Sequence, residues 1–356
     1  MADVTLENVA HAYDKHSQEA DWPLKPINLT FEAGHTYALV GPSGCGKTTM
    51  LNIISGLVTP KTGKVKFGQE DVTNLPTAKR NVAQVFQFPA IYRSMNVFDN
   101  LAFPLVCRNW DKDRIRTRVG EVAEILGISE KLNRSAWRLG IDEKQLVSLG
   151  RGLVRDDVAV LLMDEPLTVI DPQLKFMLRK RIKEANDVLG STIVYVTHDQ
   201  YEAMTFAEEL LVMNAGSVIQ QGTPEHLFEA PVDSYVGYFI GSPAMNFLAA
   251  SSQAGVVTVE GHRIEVSQTN IPDGHIQLGI RPEYVSISKA SQNSVEVEVQ
   301  SIQDQGNTRV VTCQLGEQSI KMKLPRVIEV PNSGKLRIYL PKEKALIYHN
   351  GTLVKP

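Results

Sequence analysis

The sequence predicts an α/β domain on a mainly parallel sheet, followed by a small antiparallel β domain. Three observations predict it. Over residues 1–240, short apolar runs alternate with helical periods, the pattern of βαβ units. A glycine-rich turn joins one such run to the helix after it. After Gly241 the apolar period changes from three or four to two.

The elements follow in order. Residues 37–40 read as a buried strand and 48–55 as the helix after it. Residues 90–155 read as mainly helical, a candidate subdomain. There Ile115, Val119, Val122 and Leu126 form one stripe, opened by Asp111 or Asp113 and stopped by Gly127. Asp171 can cap a further helix with Pro172 at its first position; Leu174, Leu178, Ile182, Ala185 and Leu189 recur along it. Gly190 ends that helix, and residues 191–196 form the next strand. Further on, Val295, Val297 and Val299 alternate with Glu296 and Glu298, while Ile320, Met322 and Leu324 alternate with Lys321 and Lys323. Leu336, Ile338 and Leu340 repeat the pattern, so residues 241–356 read as a small antiparallel barrel. The border is expected near Ser242-Pro243, giving domains 1–240 and 241–356.

Composition narrows the function. A chain of 356 residues has room for two or three domains at roughly 150 residues each. With 43% hydrophobic and 22% charged residues, disorder, collagen and a disulfide scaffold are excluded. Lys plus Arg (37) against Asp plus Glu (40) leaves a formal charge of −3, which argues against gripping a phosphate backbone. Cys45, Cys107 and Cys313 show no ligand spacing, so neither a disulfide framework nor a zinc site is expected. The first residues lack the pattern of a signal peptide, and the apolar run 158–163 is far short of the ~20 residues that cross a bilayer. A soluble protein of a reducing compartment is expected, able to sit on a membrane through a partner.

The strongest motif runs Gly41, Pro42, Ser43, Gly44, Cys45, Gly46, Lys47, Thr48, fitting GxxxxGK[ST] with a strand before and a helix after. Glycines let backbone N–H groups wrap a β-phosphate, and the helix start adds its positive end. Lys47 can reach β and γ oxygens, and the Thr48 hydroxyl can ligate Mg²⁺. Thr49 completes the expected ATP-binding set, with Cys45 as loop filler. Ala159, Val160, Leu161, Leu162 and Met163 then run into Asp164 and Glu165. That is a buried strand delivering two carboxylates at its carboxyl end, where open α/β sheets bind ligands. Asp164 suits the Mg²⁺ shell, and Glu165 is placed to orient and deprotonate an attacking water.

These motifs resemble the ATPase subunits of ABC transporters, specifically of maltose-type carbohydrate and polyol importers. The resemblance implies a P-loop nucleotide-binding domain with a helical subdomain and an OB-like accessory barrel. It implies that Tyr13 stacks on adenine, and that Gln87, in Val85-Phe-Gln-Phe-Pro89, touches Mg²⁺ and the lytic water. It also implies that His198, in Val196-Thr-His-Asp-Gln200, contacts the γ-phosphate. Residues 168–171 sit at the family's dimer-contact loop, although Asp171 also reads as a helix cap. Gly241-Ser-Pro-Ala-Met-Asn-Phe247 and Gly279-Ile-Arg-Pro-Glu283 resemble signposts of the accessory domain. The wording around Gln87, 148–154 and 164–171 is closest to glycerol uptake ATPases. Implied partners are two permease subunits, a second ATPase subunit, sibling or identical, and indirectly a solute-binding protein, with no nucleic acid. The implied place is the cytoplasmic face of a bacterial inner membrane.

One motif departs. The family's LSGGQ signature opens a helix that docks onto ATP of the opposite subunit; here the stretch is Leu139-Gly-Ile-Asp-Glu143, followed by Lys144. Carboxylates facing a phosphate at about 4 Å, at an effective dielectric near 20, repel by about 4 kcal/mol. Either Asp142 turns back to cap its own helix and Lys144 offsets charge, or the opposite ATP site is poor. The leading reading is ATP hydrolysis that drives import of a small polyol or sugar-like solute, glycerol suspected. The alternatives are a binding-only regulatory subunit and a soluble ATPase unconnected with transport.

Overall fold

The computed structural model describes residues 2–14, 18–155, 158–288 and 293–355; the side chain of Leu189, last of the expected stripe, lies outside the described ones. The chain forms two compact units, Met1–Pro224 and Glu225–Pro356.

The first unit runs β1 (Val4–His11), β2 (Leu24–Phe31), β3 (Thr36–Val40), α1 (Lys47–Ser55), β4 (Thr62–Phe67), β5 (Glu70–Asp71) and β6 (Val82–Val85). The helical stretch follows as α2 (Val97–Val106), α3 (Lys112–Leu126) and α4 (Ile141–Leu153). Then come β7 (Val160–Asp164), α5 (Pro172–Leu189), β8 (Ile193–Val196), α6 (Gln200–Phe206), β9 (Glu209–Asn214) and β10 (Ser217–Gly222). One sheet has the order β10-β9-β3-β8-β7-β6 and is parallel except for the terminal β9/β10 hairpin. β3 and β8 are buried along their whole length, as apolar strands covered on both faces must be.

A second sheet, β2-β1-β4-β5, is antiparallel and stands beside the mainly parallel sheet that the βαβ reading expected. Its signal is period two: Val4 faces Phe31 and Leu6 faces Leu29, all buried. Met50, Leu51, Ile53 and Ile54 of α1 join this sheet's apolar face to β3 and β7 in one core. A second core holds the helical stretch, including Ile115, Val119, Val122 and Leu126. Asp111 caps α3 by accepting from the Asp113 and Arg114 N–H groups, and Gly127 ends it at φ +67. Asp171 caps α5 by accepting from Gln173 N–H at 2.9 Å.

In the second unit, two antiparallel sheets of six and five strands enclose one apolar core. The strands Ser294–Asp304, Gln318–Pro325 and Gly334–Tyr339 carry the alternations read from the sequence. The compact units divide at Pro224/Glu225, so α8 (Ser234–Phe239) and α7 (Pro224–Glu229) from Glu225 on fall in the second, where they pack with its strands. Arg281, 1% exposed, donates to the Phe228 carbonyl at 3.0 Å, to Gly237 at 2.9 Å and to Ile240. Through those three carbonyls the buried guanidinium ties α7 and the end of α8 to the sheet.

Candidate nucleotide site

The site lies where β3, β7 and β8 end. Gly41 leaves β3 at φ +156; a Cβ there would meet the Met213 carbonyl oxygen at 2.3 Å. Gly46 precedes α1 at φ +104, where a Cβ would lie 2.1 Å from the Pro23 carbonyl oxygen. Only glycine fits either position, so the loop keeps an open cradle of N–H groups at the start of α1. Lys47, 7% exposed, donates from Nζ to the carbonyls of Gly41 (2.8 Å) and Pro42 (2.9 Å), and reaches Cys45 Sγ at 3.6 Å. Its ammonium is thereby held along the loop that a phosphate would occupy. Ser43 and Gly44 form the exposed crown of the turn.

Thr48 donates through Oγ1 to Asp164 Oδ1 at 3.2 Å, joining α1 to the end of β7. Burial raises the Asp164 carboxyl pKa, opposed by the Thr48 hydrogen bond and reinforced by the Glu165 charge. A desolvated carboxylate beside a hydroxyl is an all-oxygen set suited to a hard cation such as Mg²⁺. Among the described residues no cluster of three or more His, Cys, Asp or Glu could hold a metal alone, so phosphate oxygens would have to complete such a shell.

Glu165 follows at φ +47, a left-handed conformation rare for a side-chain-bearing residue, and its N–H donates to the Val196 carbonyl at 2.9 Å. Its Oε2 accepts from Gln87 Nε2 at 3.1 Å and lies 3.3 Å from His198 Nδ1. Thr168 approaches the same oxygen at 3.4 Å. Three chain segments separated by tens of residues thus converge on one carboxylate oxygen. Tyr13, 65% exposed, stands past β1, its hydroxyl 3.2 Å from Thr49 Oγ1 and its ring edge-on to His11 at 4.7 Å. One face of that ring system is presented to solvent beside the loop.

At the start of α4 the outcome differs from the expected cap. Glu143, not Asp142, accepts from the Gly140 N–H (2.9 Å) and pairs with Lys131. The Lys131 hydrogen bond holds its carboxyl below the usual range. Lys144 lies over the Trp137 ring at 5.4 Å, shared with Arg93 at 4.7 Å.

Sequence reading missed Glu202 on α6. It is 5% exposed and accepts from Tyr195 (2.8 Å) and Thr197 (3.0 Å). Arg179 of α5 pairs with its other oxygen at 3.1 Å. Its place on α6 puts it on the buried face with Ala203 and Phe206, which was the available signal.

A phosphate loop after β3 of a parallel sheet, with paired carboxylates at the end of β7 one strand further across β8, defines a nucleoside triphosphatase of the P-loop class. Comparisons narrow this. The family described as ABC transporter matches residues 24–168, the MalK OB fold domain 241–285 and the TOBE domain 278–336. The sn-glycerol-3-phosphate import ATP-binding protein UgpC of Ruegeria pomeroyi is 41% identical, over 84% of this chain and 83% of the relative. Its namesake in Cupriavidus necator is 37% identical over 91% of each chain. The maltose/maltodextrin import ATP-binding protein MalK of Vibrio vulnificus is 35% identical over 98% of this chain and 96% of the relative. Among solved structures, cbiO1 from Clostridium perfringens, part of the ABC transporter complex cbiONQ, aligns with a TM-score of 0.57. It is 26% identical, over 64% of this chain and 90% of its own. The chain belongs to the ABC transporter family, as an ATP-binding subunit of its importers, an ATPase coupled to transport.

Proposed function

We propose that this chain energises import of a small polyol or sugar-like solute, glycerol being the suspected one, into a bacterial cell. The observation that carries the site reading is the convergence of Gln87 and His198 on Glu165 Oε2, beside the Thr48–Asp164 pair. ATP sits with its phosphates on the N–H groups of residues 41–49 and its adenine on the exposed face of Tyr13. Lys47 exchanges its loop carbonyls for β and γ oxygens. Thr48, Asp164 and the Gln87 amide oxygen would hold Mg²⁺, which when bound neutralises phosphate charge. Glu165 accepts a proton from water as the water oxygen attacks the γ-phosphorus; the bond to the β-phosphate oxygen breaks and ADP leaves. His198, beside that carboxylate, contacts the γ-phosphate, and Gln87 orients the water.

Two permease subunits, a second ATPase subunit and, indirectly, a solute-binding protein complete the machine. No described helix is long and apolar enough to cross a membrane, which fits peripheral attachment to the cytoplasmic face through the permeases. The Asp142 carboxylate at the head of α4 makes the opposite ATP site the weaker one, while this chain's own site keeps every hydrolytic side chain. The relatives' names support the solute class: they import sn-glycerol-3-phosphate and maltose or maltodextrin.

The test is genetic and biochemical together. A tagged full chain should co-purify with two integral membrane proteins, and its deletion should abolish uptake of labelled glycerol while leaving uptake of unrelated solutes intact. Uptake of glycerol at the parental rate in the deletion strain would remove glycerol as the solute. Absence of membrane proteins from the purified complex would remove the transport role.

A further inference from the structure

We propose that Glu202 is the positioning residue that sets His198 against Glu165, acting through the Thr197 hydroxyl. Thr197 is 2% exposed, and its Oγ1 makes two hydrogen bonds that bracket the residue after it. It accepts from the Asp199 N–H at 3.0 Å, closing a tight turn with His198 at its tip. It donates to Glu202 Oε2 at 3.0 Å, which tethers that turn to α6. The backbone on either side of His198 is therefore fixed by one hydroxyl, and the hydroxyl is fixed by one carboxylate.

Glu202 is itself anchored from three directions. Tyr195 of β8 donates to the same Oε2 at 2.8 Å. Arg179 of α5 meets Oε1 at 3.1 Å, with Lys175 of the same helix at 3.9 Å. Its own N–H donates to Asp199 Oδ1 at 3.2 Å, as does that of Tyr201 at 2.8 Å, so Asp199 caps α6 while Glu202 holds the turn from below. A buried carboxylate facing four donors, two from α5, one from β8 and one from the turn after it, resists displacement. The imidazole it supports is 63% exposed and makes its 3.3 Å approach to Glu165 from that turn. An exposed side chain held to one geometry needs such a foundation, because misplacement by about 1 Å costs about a hundredfold in rate.

The inference rests on the site reading above, in which His198 serves hydrolysis, and the experiment separates the two. Turnover and ATP affinity are measured on the full chain in its assembled transporter, with thermal melting of each variant alongside. Glu202→Gln keeps an acceptor for the hydroxyls but loses the ion pair. It is expected to lower kcat about 10- to 100-fold with KM for ATP unchanged. Thr197→Val leaves the Arg179 ion pair untouched and should reproduce that loss, and Thr197→Ser, which restores the hydroxyl, should recover turnover. The decisive arm adds Glu202→Gln or Thr197→Val to His198→Ala: a residue acting through His198 produces no further loss there. Multiplied losses in the double variants, or parental turnover in Thr197→Val, would overturn the proposal. Parental turnover in His198→Ala would overturn it together with the site reading, and so mark the failure as that of the site.

Discussion

Asp142 occupies the space that a side chain at Gly140 would fill: a Cβ built on Gly140 would lie 2.7 Å from Asp142 Oδ1. On the proposed reading, two of the four positions at which this stretch differs from LSGGQ are thus coupled, the missing side chain at Gly140 making room for the Asp142 carboxylate. Gly140→Ser alone is expected to change little, because the new hydroxymethyl group meets that carboxylate. Gly140→Ser with Asp142→Gly should raise turnover per assembled transporter about twofold, as a second site joins the first. Steady-state phosphate release from the purified complex measures it. Parental turnover in the double variant would show that the carboxylate does not limit the opposite site.

On the proposed site reading, Tyr13 bears on nucleotide affinity and not on bond cleavage. Its exposed ring can stack on a base, a contact generally worth about 1–3 kcal/mol. Tyr13→Ala is therefore expected to raise KM for ATP about tenfold with kcat kept, and Tyr13→Phe to behave as the parent. A change confined to kcat would remove Tyr13 from the adenine site.

Tyr37, on the central strand β3, gives a pH signature. Burial raises its pKa to about 12, against the partly compensating hydrogen bond it accepts from the Glu32 N–H at 2.8 Å. The folded chain then holds the phenolic proton more tightly than the unfolded chain, whose tyrosine titrates near 10. Stability from this group is complete below about pH 10 and is lost as pH rises toward about 12. Chemical unfolding at stepped alkaline pH should show a downward slope in that window that shrinks in Tyr37→Phe. An identical slope in both proteins would contradict the assignment.

The legible parts of the molecule were those specified locally. Residues 41–48 state their conformation in their glycines, and the caps Asp111, Asp171, Gly127 and Gly190 stand next to the helices they bound. The three alternating strands of the second unit were legible for the same reason, each carrying its period within a few residues. What escaped was nonlocal. In the β2-β1-β4-β5 sheet, β1 joins segments distant in the chain, as Val4 pairs with both Phe31 and Phe67, and no short window shows it. Arg80, 3% exposed, ties the carbonyls of Ile53, Ile54, Thr73 and Leu75, a role invisible until the fold gathers them. Glu202 escaped likewise, since its partners lie on α5 and β8. At α4 the sequence offered Asp142 as a cap, and the structure gives that place to Glu143, which pairs with Lys131 twelve positions before it.

The central claim is that the carboxylate gathered with Gln87 and His198 takes the proton of the attacking water. The most direct measurement is Mg²⁺-dependent ATP turnover by the assembled transporter carrying Glu165→Gln, with ATP binding followed in parallel. The expected result is a loss of about 10²–10⁴ in kcat with ATP still bound, since the amide keeps the shape and loses the basicity. Turnover at the parental rate with the amide in place would contradict it.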